Sequence, residues 1–109
     1  MTIIAVSCIG RDLKSRIDPR FGRAKGFLVI DLETMKFEHI DNSKISDTAR
    51  GAGIQTAEML LKKDVKIVLT GAIGPKAESV LESAKIKIIC GLDNLTVEEA
   101  LTKEERQLK

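Results

Sequence analysis

Asp18-Pro19-Arg20-Phe21-Gly22-Arg23-Ala24 is the stretch on which the fold turns. It separates two apolar runs, residues 3–8 (Ile-Ile-Ala-Val-Ser-Cys) and 26–32 (Gly-Phe-Leu-Val-Ile-Asp-Leu). A flavodoxin-like sheet requires a helix between those runs, but Pro19 and Gly22 interrupt any helical apolar period over residues 8–26. The connection is therefore a loop. Two arginines and one of only three aromatics sit in its seven residues. A simple turn would use Gly, Asn, Asp or Ser, and guanidinium groups flanking an aromatic point to half of an anion-binding site.

Working outward, residues 3–8 are almost continuously apolar, as expected of a central strand buried on both faces. Residues 26–32 and 36–41 flank the short turn Glu33-Thr34-Met35, and the second run alternates polar and apolar side chains. Together they read as a hairpin with an exposed outer strand. After a polar loop, Gly51-Ala52-Gly53 opens a helix with Ile54, Ala57, Leu60 and Leu61 on one face, ending near Lys63. Residues 66–70 form a fourth strand. Gly71-Ala72-Ile73-Gly74 then leads into a helix whose Pro75 suits the first turn and whose buried face is Ala77, Val80, Leu81 and Ala84. Residues 86–90 form a fifth strand. Thr96 and Glu99 make a capping box for a last helix, expected to fray into the mixed-charge, solvated tail of residues 98–109.

The order is β-β-β-α-β-α-β-α. Strands joined by hairpins are antiparallel, and those joined through helices are usually parallel with right-handed crossovers. The consistent arrangement is an α/β fold with a mixed five-stranded sheet, order 3-2-1-4-5, strand 2 alone antiparallel, and helices on its faces. This is the ribonuclease-H-like topology.

The 109 residues suffice for a single domain, 1–109, with one core. Eighteen basic against sixteen acidic residues leave a net charge of +2, too small to mark a nucleic-acid-binding surface. No apolar run has the length of a membrane span and no secretory signal is evident, so the chain reads as cytoplasmic, with no membrane partner. Cys8 and Cys90 have neither the spacing of a zinc site nor that of a disulfide framework.

Strands 1, 3, 4 and 5 point the same way, so the segments leaving them should emerge on one edge, where a switch in direction between strands 1 and 4 opens a crevice. The Phe21-Gly22-Arg23 run, both glycine-marked helix starts and both cysteines are expected to converge there. At Gly51, Gly53, Gly71 and Gly74 the missing Cβ lets backbone N–H groups approach a ligand, and each following helix adds a partial positive end. Arg20, Arg23, Lys25 and Lys76 can supply full charge. Neither glycine element matches a dinucleotide or Walker A fingerprint. Glycines before helices also solve backbone geometry alone, and Phe21 suits a core plug as well as a stacking platform. Cys8 and Cys90, on strands separated by strand 4, should lie roughly 9 to 10 Å apart, too far for a disulfide. Both remain small core residues or soft metal ligands. His39 on the outer strand reads as solvated.

The N-terminal strand, Arg20-Phe21-Gly22-Arg23-Ala24, Gly51-Ala52-Gly53, Thr70-Gly71-Ala72-Ile73-Gly74-Pro75-Lys76-Ala77 and Leu95-Thr96-Val97-Glu98-Glu99-Ala100-Leu101 resemble the dinitrogenase iron-molybdenum cofactor biosynthesis family, over residues 1–102. That family includes NifX-like proteins and the C-terminal domain of NifB. The resemblance implies a ribonuclease-H-like fold and a non-enzymatic carrier or chaperone of an anionic metal-sulfur cluster, iron-sulfur or iron-molybdenum in type, or its precursor. It also implies a donor or acceptor protein as partner. The cradle would be Arg20, Phe21, Gly22, Arg23, Gly51, Gly53, Gly71 and Gly74, with Cys8 and Cys90 as soft metal ligands. Such a cluster is bulky and anionic, so N–H groups, helix ends and arginines can hold it, and a thiolate can ligate iron. The chain has no cysteine-rich radical motif, so cluster synthesis of the NifB kind is not expected of it.

Two rival classes compete with this reading. A ribonuclease-H-like nuclease needs acidic residues on strand 1 for two metal ions, and residues 3–8 contain none. A regulatory or adaptor module, binding a phosphorylated small molecule or a protein at the same edge, fits the same residues and stays open.

Overall fold

A computed structural model describes residues 2–47 and 51–108, with side chains through Lys103. The strands are β1 (Ile3–Cys8), β2 (Gly26–Asp31), β3 (Phe37–Asp41), β4 (Ile67–Leu69) and β5 (Lys87–Ile89). The helices are α1 (Ser43–Ser46), α2 (Ala52–Leu61), α3 (Pro75–Ser83) and α4 (Val97–Leu108). The sheet runs β3-β2-β1-β4-β5. β2 is antiparallel to β1 and β3, whereas β1 with β4 and β4 with β5 are parallel. The α/β class and the strand order are those expected.

Side-chain alternation along the strands divides the interior into two layers. Ile4, Val6 and Cys8 of β1 join Leu28, Ile30 and Leu69 beneath Val97, Ala100 and Leu101 of α4. On the other face, Ala5, Phe27, Val29 and Val68 pack against Ala57 and Leu60 of α2 and Ala77 and Leu81 of α3. Burying a Leu, Ile or Phe side chain contributes about 1.5–3 kcal/mol, so both layers matter to stability.

The segment between β1 and β2 joins these layers. Ile17 is buried in the α4 layer and Phe21 in the α2/α3 layer, so the chain wraps over the sheet edge between them. Its first part pairs through isolated bridges with the end of β1, Cys8 with Ile17, and with the entry to α4, Arg16 with Thr96. At the crossing, Asp18 N–H donates to the Ser7 carbonyl at 2.9 Å, and Ser7 Oγ donates back to the Asp18 carbonyl at 2.8 Å. Ser7 Oγ also lies 2.8 Å from Thr70 Oγ1. The Asp18 carboxylate is buried and accepts the N–H groups of Arg20 at 3.1 Å and Lys25 at 3.2 Å. A loop with no regular structure thus has its polar groups paired inside the protein, as a buried backbone requires.

Local signals behave as their chemistry dictates. Glu99 N–H donates to Thr96 Oγ1 at 3.2 Å and Thr96 N–H to Glu99 Oε1 at 3.0 Å, completing the capping box. Pro75 occupies the first turn of α3. The turns on the opposite edge use Met35, Asp64 and Lys85 in the left-handed region, at φ 61°, 58° and 62°. Strands β4 and β5 are one residue shorter at each end than the runs 66–70 and 86–90. α2 stops at Leu61 because Lys63 and Asp64 already bond back to Leu60 and Leu61 in tight turns. The polar loop after β3 contains α1, started by the Asp41 carboxylate accepting the Ser43 N–H at 2.8 Å. Residues 48–50 of that loop, and the expected fraying of the tail beyond Lys103, lie outside the described residues and side chains.

Replacing Asp18 with Ala leaves two loop N–H groups without their acceptor, and unfolding in urea should show a loss of about 2–4 kcal/mol. Asp18→Asn keeps the shape but turns an amide N–H2 toward one donor, and should lose about half as much. A loss under about 0.5 kcal/mol for Asp18→Ala would mean that the carboxylate does not anchor the loop.

Candidate functional site

The loop, once anchored, is held against the first turns of α2 and α3. Phe21 N–H donates to the Ala72 carbonyl at 3.0 Å and Ala72 N–H to the Pro19 carbonyl at 2.8 Å, a short parallel bridge to the segment entering α3. Toward α2 the contact is closer. A Cβ on Gly22 would lie 2.6 Å from Gly53 Cα and 2.7 Å from its nitrogen, both backbone atoms that cannot move aside. The Gly22 carbonyl accepts from Thr56 Oγ1 at 3.3 Å and from Asn42 Nδ2 at 3.5 Å, and Asn42 Nδ2 also donates to the Ala24 carbonyl at 3.0 Å. Asn42 and Thr56 are buried.

Between loop and helices lies a cleft of about 650 Å³. Arg20, Phe21, Gly22 and Arg23 form one wall, and Gly51, Gly53, Gly74 and Lys76 lie on the others. Seven of the eight expected cradle residues are therefore together. Among the described residues its charged lining is Arg20, Arg23 and Lys76, with no carboxylate. Both helices begin at glycine without a side-chain cap. The N–H groups of a first helical turn have no intrahelical acceptor, so two partial positive ends face the same space. Gly51 has φ 73°, in the left-handed region that favours glycine. Gly74 differs: its φ of −75° and ψ of 158° suit any residue before proline, and nothing lies within 4 Å of where its Cβ would be. Neither its dihedral angles nor a close contact demands glycine there, and a side chain at this position would project into the cleft.

Phe21 reaches the cleft only from below. It is 1% exposed and packs edge-to-face on Phe27, ring centroids 5.5 Å apart, as a core plug. Gly71 is not in the lining: its Cβ position is filled by Pro19, whose carbonyl oxygen would be 2.6 Å away. Gly71 permits the loop to cross, and the expectation that it touches a ligand is corrected to that role.

Neither cysteine lines the cleft, which corrects the expected convergence. Cys8 shares the α4-facing side of β1 with Ile4 and Val6, whereas the cleft opens on the α2/α3 side. Its thiol donates to the Gly10 carbonyl at 3.3 Å, and burial, reinforced by the Asp18 charge, pushes it from 9.0 up to about 11. Cys90 is exposed just beyond β5, its thiol also pushed up by partial burial and by Glu78. In the metal-free fold both thiols are thus held toward the protonated form.

A second cleft, of about 490 Å³, lies on the other side of Arg20 and Arg23. It is lined by Arg11, Lys25, His39 and Asp41 among others. His39, expected to be solvated, is half-buried over Gly26. Desolvation and the Arg11 charge lower its pKa, partly offset by Asp41. Sequence reasoning missed this cleft because Arg11 and Lys25 stand at opposite ends of one loop and His39 on a different strand.

The family described as dinitrogenase iron-molybdenum cofactor matches residues 2–107. No curated protein matches the chain. Among solved structures, the apo form of the orange protein from Desulfovibrio gigas is 42% identical with a TM-score of 0.95, over 98% of this chain and 89% of that one. A protein from Thermotoga provisionally assigned as NifB, solved by NMR, is 28% identical with a TM-score of 0.83, over 97% of this chain and 89% of its own.

The thiol environments give a direct check. In the native protein one thiol per chain, Cys90, should react with a disulfide reagent at pH 8, and Cys8 only on unfolding. Because the folded Cys8 value lies above the unfolded 9.0, its ionisation favours the unfolded chain. The stability it lends is therefore complete below pH 9 and falls as pH rises toward 11, and Cys8→Ala should flatten that fall. Two fast-reacting thiols in the native protein would show that Cys8 is accessible.

Proposed function

The chain belongs to the dinitrogenase iron-molybdenum cofactor family, and from that premise we propose that it is a non-enzymatic carrier or chaperone for an anionic metal-sulfur cluster, or a precursor of one, held in the glycine cleft. The observation that carries this reading is the cleft's one-sided chemistry: among the described residues, three cationic side chains and two uncapped helix starts, with no carboxylate in the lining. Positive backbone ends and guanidinium groups favour a multiply charged anion without needing a covalent bond to it. Gly74 adds a steric argument, since the space beside it is open and a side chain there would project into the cleft.

Among the described residues no three His, Cys, Asp or Glu side chains come together as a metal-ion site. The cargo would accordingly be a preformed anion recognised whole, iron-sulfur or iron-molybdenum in type, and not an ion assembled on protein ligands. Weak, non-covalent holding suits a carrier that must pass its cargo from a donor to an acceptor protein. We read the carrier as cytoplasmic and its sheet as ribonuclease-H-like; among the described residues no helix is long and apolar enough to cross a membrane.

Arg20, Arg23 and Lys76 would provide the charge, and the first turns of α2 and α3 the N–H groups. The test offers the anaerobic protein a synthetic thiolate-capped [4Fe–4S] cluster and follows visible absorbance and bound iron after gel filtration. Gly74→Val fits the backbone there and should change unfolding stability by under about 1 kcal/mol while lowering cluster retention at least tenfold. Arg20→Gln combined with Lys76→Gln should weaken retention and reduce its salt sensitivity. If Gly74→Val retains cluster as the parent does, or the parent retains none, the glycine cleft is not a cluster site.

A further inference from the structure

We propose that the second cleft is a separate binding site for a small phosphate-bearing anion. This does not rest on the carrier reading and needs no cluster. The cleft is formed where both ends of the 9–25 loop meet β3 and α1. Arg11 and Lys25 enter from the loop, and Arg20 and Arg23 form the ridge dividing it from the glycine cleft. Among the described residues four cationic side chains thus border it against two carboxylates, Asp41 and Asp47.

The arrangement is selective as well as positive. Asp41 is committed to Ser43, accepting its N–H at 2.8 Å, and these bonds lower its pKa, so it is a fixed negative wall. Arg23 donates to the Ser46 carbonyl at 2.7 Å, which stiffens the ridge. His39, half-buried between Arg11 and Asp41, is a hydrogen-bonding group that neutral pH leaves uncharged. An incoming dianion would meet Arg11, whose guanidinium can donate two hydrogen bonds to a phosphate, and the Lys25 ammonium as charge-assisted donors. The space of about 490 Å³ exceeds a bare oxyanion, and Ile9, 51% exposed at its border, offers an apolar surface to an attached organic group. Phosphate monoesters and free phosphate share the charged part of this chemistry; the Ile9 surface favours the ester.

The test uses the ¹⁵N-labelled full chain without metal, titrated at constant ionic strength with inorganic phosphate and, separately, with phenyl phosphate. Saturable shifts should appear at the amides of Arg11, Lys25, His39 and Asp41, with the ester binding more tightly. Arg11→Gln and Lys25→Gln, both changes at the protein surface, should each weaken binding about tenfold or more while leaving the remaining spectrum in place. Lys76→Gln, which touches only the glycine cleft, should not change it. The absence of saturable shifts with either probe would overturn the site. So would loss of binding in Lys76→Gln with Arg11→Gln unaffected, which would put the anion in the glycine cleft. Equal affinity for both probes would remove the organic part of the proposal and leave a free-phosphate site.

Discussion

The buried Asp18 carboxylate is the constraint from which the functional edge follows. A side chain 2% exposed can keep a charge only when donors surround it, and here the donors are largely the backbone of its own loop. The Arg20 guanidinium adds Nε at 3.5 Å, but that side chain is 58% exposed, so the ion pair is screened. Folding the loop around a carboxylate fixes where Arg20 leaves the backbone and how Phe21 enters the core. It also ties the loop to β1, through the reciprocal bonds between Ser7 and Asp18.

Given that anchor, the glycines divide into two kinds. Gly22 and Gly71 are places where one backbone passes another at a distance no Cβ permits, against Gly53 and Pro19 respectively. They bring the loop within reach of both helices. Gly74 is constrained by neither contact nor dihedral angle. The first kind builds the wall of the cleft and the second leaves it empty, so one residue type serves two ends that only the contacts distinguish.

Much of this edge was legible in the sequence because it depends on rules of short range. The apolar runs at 3–8 and 26–32, broken by Pro19 and Gly22, dictate a mixed sheet, and the Thr96 to Glu99 spacing dictates a helix start. What escaped was the face on which each side chain points. Topology brings Cys8 to the right edge of the sheet, but a strand alternates its side chains, and Ile4 and Val6 commit Cys8 to the α4 layer. That alternation was readable. The roles of Asn42 and Thr56 were not, because a buried polar network between loop, β3 and α2 has no periodic signature. The second cleft was hidden likewise, since Arg11, Lys25 and His39 become neighbours only once the loop has crossed the sheet.

Holding an anion through charge and backbone N–H groups has a consequence for how it leaves. Thiolate ligation would make release depend on exchanging a metal-sulfur bond, and the environments of Cys8 and Cys90 both disfavour the thiolate. Electrostatic holding makes release depend on what competes for the same cations. Arg20 and Arg23 border both clefts, so an anion in one draws on charge that would serve the other. Arg20 is fixed at its backbone by Asp18 yet open at its guanidinium, which lets a rigid loop carry a side chain free to serve either side. The decorated loop between β1 and β2 is thus a charged partition between two clefts, and Arg20 and Arg23 line both of them.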